Sequence, residues 1–208
     1  MRVYKVLAAA VLTAAGCCTE RGIPSSEANI LADEVTHKPL VIGYEGLQPF
    51  SGYRVKNLTE ALSIELGFAD SATTGNRGCH MPYIEKASQS GQPIHIIGYS
   101  LGAAEARALA QDCEKKSIVI DDLILLDDTT AGEISANVQN VHVFRGTVPY
   151  AFRGPAYTQD NLANSETVLH NYTVDGASHM SLPEQALPEI ARILRTRQKL
   201  ENVVARNQ

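Results

Sequence analysis

A serine, an aspartate and a histidine follow one another along this chain in an order that could perform acyl transfer. Ser100 lies at the centre of Gly98-Tyr99-Ser100-Leu101-Gly102, a Gly-x-Ser-x-Gly sequence. A serine hydroxyl is a poor nucleophile at neutral pH, so it needs a histidine as base and a carboxylate to orient that histidine. His179 comes after the last predicted strand, downstream of Asp127. The pattern predicts Ser100 as nucleophile, His179 as base and Asp127 as acid.

The acid has an alternative in the neighbouring residue, Asp128. Both aspartates end an apolar run that begins at Leu123 and is typical of a buried parallel strand. Because side chains alternate along a strand, a shift of one residue would exchange which carboxylate faces the site. The sequence leaves both residues open, with Asp127 favoured.

Acyl transfer also needs donors for the negative charge that develops on the carbonyl oxygen. Backbone N–H groups held in place provide such an oxyanion hole. We expect one from Leu101, directly after the nucleophile, and a second from the glycine-containing turn after the first strand. Gly46 and Leu47 are the candidates in that turn.

The elements that must position these residues alternate between strands and helices. Ser100 needs a strand before it and a helix after it, and the neighbouring sequence supplies isoleucines on one side and helix-forming residues on the other. The alternation predicts an α/β fold with a doubly wound, mostly parallel sheet flanked by helices. The predicted strands are 39–44, 68–74, 94–97, 122–128, 141–144 and 168–174, and the predicted helices are 58–66, 81–90 and 103–112.

The first 17 residues have the pattern of a signal peptide, with basic residues ahead of a short apolar run. Their end, Leu12 to Cys17, resembles the lipobox of bacterial lipoproteins, which implies lipidation at Cys17. Cleavage by an ordinary signal peptidase is the alternative. We expect an exported protein, periplasmic or held at the membrane by a lipid anchor, with residues 18–38 as a tether.

Residues 39–208 form the predicted main domain, and within it Pro39 to Lys199 resemble the α/β-hydrolase superfamily. Gly-Tyr-Ser-Leu-Gly is similar to its nucleophile elbow, and Gly176-Ala-Ser-His179 to its histidine loop. In the thioesterase and lipase branches the acid follows the strand before the family's seventh, and this placement supports Asp127. The resemblance implies a minimal fold with no cap domain, because only residues 129–140 separate the acid strand from the next one.

The implied reaction is cleavage of a carboxylic ester or thioester through an acyl-enzyme, on a small-molecule or lipid-like acyl substrate. A glycine- and proline-broken stretch, Arg145 to Asn164, is the candidate lid and carries Tyr150, Phe152 and Tyr157. A non-catalytic lipoprotein binding module on the same fold, a serine peptidase and an acyltransferase stay open as alternatives.

Composition excludes several other classes of function. The formal charge of −5 and the lack of a long basic run argue against nucleic-acid binding. Serine chemistry requires neither a metal nor another cofactor, and we expect none. Export to an oxidising compartment would allow Cys79 and Cys113 to form a disulfide, with two separate thiols as the alternative.

Overall fold

Six parallel strands form a single sheet at the centre of the protein. The computed structural model describes residues 39–47, 54–66, 69–72, 77–150 and 153–206. The strand order is β2-β1-β3-β4-β5-β6, and every neighbouring pair is parallel. The strands are β1 (Leu40–Tyr44), β2 (Ala69–Ala72), β3 (Ile94–Tyr99), β4 (Ile120–Leu126), β5 (Val138–Gly146) and β6 (Val168–Val174).

Helices cover both faces of this sheet, as predicted for a doubly wound fold. The helices are α1 (Arg54–Leu66), α2 (Met81–Gln89), α3 (Gly102–Glu114) and α4 (Leu182–Arg206), with short 3-10 turns at Arg77–Cys79 and Gln159–Asn161. Apolar residues of α2 and α3 pack in one core cluster, and those of α1 and α4 pack in a second cluster on the opposite face. The central strands β3 and β4 are buried between the two layers, which explains why most of their residues are apolar.

The absence of a cap domain is confirmed within the described residues. Only residues 127–137 connect β4 to β5, and this connection is too short to form a separate folded unit. The predicted short strand at 68–74 is present as β2. No described helix is long and apolar enough to cross a bilayer. The predicted signal peptide, its lipidation candidate Cys17 and the tether lie outside the described residues.

Helix α4 is the one long element that the sequence patterns did not predict. Pro188 lies inside it, and an internal proline removes a helix N–H and normally ends or kinks a helix. Packing compensates for this loss, because the face that carries Leu182, Ile190 and Leu194 is buried against the sheet. Tertiary contacts therefore outweigh the local signal.

Candidate active site

Ser100 occupies a sharp turn between β3 and α3. Its φ of 57° lies in the left-handed region, which non-glycine residues seldom adopt. The turn is possible because the flanking residues are glycines, and the space around them has no room for a side chain. A Cβ at Gly98 would lie 2.5 Å from Ala103 Cα, and one at Gly102 would lie 2.2 Å from the Tyr44 carbonyl oxygen. The local geometry is therefore that of the predicted nucleophile elbow.

His179 lies on the loop after β6, next to Ser100. Its Nε2 atom is 3.1 Å from Ser100 Oγ. Among the contacts that hold this loop, the Tyr99 hydroxyl donates to the His179 carbonyl oxygen at 2.9 Å, and Ser178 N–H donates to Ser181 Oγ at 3.0 Å. These hydrogen bonds therefore fix the loop that places the imidazole beside Ser100.

Asp127 stands on the other side of the imidazole. Its Oδ2 atom is 3.3 Å from His179 Nδ1, and the residue is fully buried. The second carboxylate oxygen, Oδ1, faces two donors: the Gly146 N–H at 3.4 Å and Arg153 Nε at 3.6 Å. The structure thus brings Ser100, His179 and Asp127 into one chain of contacts, although 79 positions separate Ser100 from His179.

Asp128, the alternative acid, points into a different network. Its Oδ2 accepts hydrogen bonds from Arg107 and from the Tyr157 hydroxyl, the latter at 2.5 Å, while Oδ1 accepts from the Thr130 N–H at 2.9 Å. Burial and the nearby Asp128 charge raise the pKa of Tyr157, so this hydroxyl stays a neutral donor. The Asp128 carboxylate is consequently occupied in holding the loop after β4.

The oxyanion candidates lie around the serine. Leu101 is the residue at the N-terminus of α3. Gly46 borders the Ser100 side chain so closely that a Cβ at Gly46 would lie 2.9 Å from Ser100 Cβ and 3.4 Å from Oγ. Leu47 is the next residue along the turn. Glu45 Oε1 accepts the Lys56 N–H at 2.8 Å and links this turn to the start of α1.

The segment after β5 contributes Tyr150, which contacts His179, and Arg153, which contacts Tyr150 and Asp127. Tyr150 stacks on the imidazole with ring centroids 4.2 Å apart and 28° between planes. Arg153 lies over the Tyr150 ring at 5.1 Å and approaches Asp127. Sequence reasoning named Tyr150 only as part of a lid and missed Arg153, because no local pattern indicates a contact across the sheet edge. Phe152 lies outside the described residues.

The predicted disulfide between Cys79 and Cys113 is wrong. Cys113 is a free, buried thiol on α3, whereas Cys79 is disulfide-bonded and therefore has a different partner. Burial raises the pKa of the Cys113 thiol to about 12. The spacing of cysteines cannot reveal that Cys113 packs in the core among apolar side chains.

No protein-family model matches this chain, and no curated protein matches its sequence. A similar solved structure is the esterase domain of a Rhodothermus marinus protein, at a TM-score of 0.52 and 13% identity. The similarity covers 81% of this chain and 89% of that chain. The chain has the α/β-hydrolase fold.

Two thioesterase domains are similar at lower scores. One cyclises the lipopeptide antibiotic surfactin, with a TM-score of 0.49 and 12% identity over 76% of this chain and 90% of that chain. The other is the NocB thioesterase domain, solved as a covalent complex with a fluorophosphonate nocardicin G analogue, with a TM-score of 0.48 and 16% identity over 78% of this chain and 95% of that chain.

Proposed function

We propose that this protein is a serine hydrolase that cleaves a carboxylic ester or thioester. One observation carries the proposal: the His179 imidazole lies between the Ser100 hydroxyl, 3.1 Å from Nε2, and the buried Asp127 carboxylate, 3.3 Å from Nδ1. The elbow geometry at Ser100 and the fold shared with an esterase domain support it.

The proposed reaction proceeds in two halves. Ser100 Oγ attacks the substrate carbonyl carbon while its proton passes to His179 Nε2, and Asp127 stabilises the imidazolium that forms. The amides of Leu101 and of Gly46 or Leu47 hold the oxyanion. Collapse of the tetrahedral intermediate breaks the bond to the alcohol or thiol, which takes the proton from His179. Water then attacks the acyl-enzyme by the same route, releasing the carboxylic acid and restoring Ser100.

A fluorophosphonate probe tests the nucleophile independently of the natural substrate. We expect covalent labelling of the wild type, none of Ser100→Ala, and full labelling of Ser88→Ala, a control at an exposed serine on α2. Correctly folded wild type that is not labelled would contradict the hydrolase proposal and favour a binding module on the same fold.

The substrate class requires a second experiment. A panel of p-nitrophenyl esters of increasing acyl length, tested beside acyl thioesters and peptide amides, separates esterase, thioesterase and peptidase activity. Ester or thioester turnover should exceed amide turnover, because alcohols and thiols leave more easily than amines. Acyl transfer to an added alcohol or amine in preference to water would indicate an acyltransferase.

We also propose that residues 1–17 direct export and that Cys17 carries a lipid anchor; the first 38 residues lie outside the described structure. Growth of a bacterial host with labelled palmitate should yield a labelled membrane-bound protein. The label should be lost in Cys17→Ser and kept in Cys18→Ser. Cleaved, unlabelled wild type would instead indicate a free periplasmic protein.

A further inference from the structure

Residues after β5 form hydrogen bonds both with the loop that carries His179 and with one another. Val148 N–H donates to the Ala177 carbonyl oxygen at 3.0 Å, two residues before His179. Arg153 Nη2 donates back to the Val148 carbonyl oxygen at 2.9 Å, and its guanidinium lies over the Tyr150 ring. These contacts give Tyr150 a defined position beside the proposed catalytic residues.

Tyr150 contacts two of those residues at once. Its ring stacks on the His179 imidazole, while its hydroxyl donates a hydrogen bond to the Asp127 backbone carbonyl oxygen at 3.0 Å. Burial raises the pKa of the Tyr150 hydroxyl, so it stays a neutral donor over the whole range in which a serine hydrolase works. One side chain therefore spans the base and the acid.

We propose that Tyr150 is a positioning residue that holds His179 in register with Asp127 and Ser100; this inference rests on the proposed function. The two imidazole contacts, 3.3 Å and 3.1 Å, are at the long end of hydrogen-bond distances, so a small ring rotation lengthens them beyond useful range. The Tyr150 ring occupies one side of the imidazole and opposes that rotation. It also attracts the imidazolium that forms during the reaction, by the cation–π effect.

Two variants separate the ring from the hydroxyl. Tyr150→Leu removes both the stack and the hydrogen bond, and displacing a catalytic group by a fraction of an ångström costs about 10- to 100-fold in kcat. Tyr150→Phe keeps the stack, so we expect it to recover most of that loss. KM for a small ester should change little in either variant. Tyr172→Leu is the matched control, because Tyr172 also stacks in the fold, on Phe144 with centroids 4.4 Å apart.

The labelling rate with two fluorophosphonates distinguishes positioning from substrate binding. A small diisopropyl probe and a long-chain alkyl probe should lose reactivity by the same factor in Tyr150→Leu, because the defect lies in the shared base. The low-field proton NMR resonance of His179 Nδ1–H should weaken in the same variant and persist in Tyr150→Phe and Tyr172→Leu.

Three outcomes would overturn the inference. Unchanged labelling of Tyr150→Leu by both probes would show that His179 needs no support from this ring. A loss confined to the long-chain probe would make Tyr150 a part of the acyl site, and a Phe variant as impaired as the Leu variant would exclude the stacking role. A wild type that labels with neither probe refutes the proposed function itself, which is a distinct result.

Discussion

Replacement of Asp127 by asparagine should abolish the proposed hydrolase activity by reversing the tautomer of His179. Asp127 Oδ1 faces two donors, the Gly146 N–H and Arg153 Nε, whereas Oδ2 faces His179 Nδ1. In Asp127→Asn the amide oxygen is drawn to the two donors, which turns the NH2 group toward His179. The imidazole must then accept at Nδ1 and carry its proton on Nε2, where it cannot take the Ser100 proton.

The size of the effect follows from the loss of the base. A wrong tautomer at this position in a serine triad lowers kcat by about 10³- to 10⁴-fold, or about 4 to 5.5 kcal/mol of transition-state stabilisation. The fold should tolerate the change, because asparagine has nearly the same shape and its polar atoms keep partners. KM should stay close to the wild-type value, since Asp127 lies behind the imidazole.

The assay is the kcat and KM of p-nitrophenyl acetate hydrolysis, with Asp128→Asn as the matched control one residue away. Asp128 binds Arg107 and Tyr157, so its replacement leaves a buried charge poorly paired and should lower the free energy of unfolding by about 3 kcal/mol. Its kcat should remain within about tenfold of wild type, because Asp128 makes no contact with the imidazole. If Asp128→Asn abolishes turnover and Asp127→Asn does not, the assignment of the acid is wrong.

Three further predictions concern the turn, the sheet and the core. Gly46→Ala should reduce kcat at least tenfold because its methyl group would press on Ser100, whereas Gly78→Ala, which meets no atom within 4 Å, should retain full esterase activity. Burial alone would raise the pKa of the Asp122 carboxyl, but hydrogen bonds from two histidines outweigh this effect and lower the pKa. Asp122 therefore stabilises the fold above about pH 4, and this stabilisation is lost as the pH falls below that value. Urea unfolding of Asp122→Asn should show a loss of about 3 kcal/mol at neutral pH and a weaker acid dependence; an unchanged acid dependence would contradict the sign. Native wild type and Cys113→Ala should consume equal amounts of DTNB, with the Cys113 thiol reacting only after unfolding.

The centre of the sheet was predictable because its strands are rich in apolar residues. Ile94–Tyr99 and Leu123–Leu126 are apolar runs of strand length, bounded by turns, and such runs are typical of parallel strands covered on both faces. Helix α4 was not predicted; Pro188 lies inside it, and its apolar face is buried against the sheet.

The sequence by itself determined which residue types could perform the chemistry and in which order they occur. The Gly-x-Ser-x-Gly turn is a local pattern, because a serine at so sharp a turn requires small residues on both sides. The place of His179 after the last strand follows from the sequence order. Only the tertiary structure decided the rest: that Asp127 faces His179 while Asp128 faces Arg107, that Tyr150 covers the imidazole, and that Cys113 is a buried thiol. Those outcomes depend on the exact strand register and on contacts between distant segments, which local sequence patterns alone did not settle.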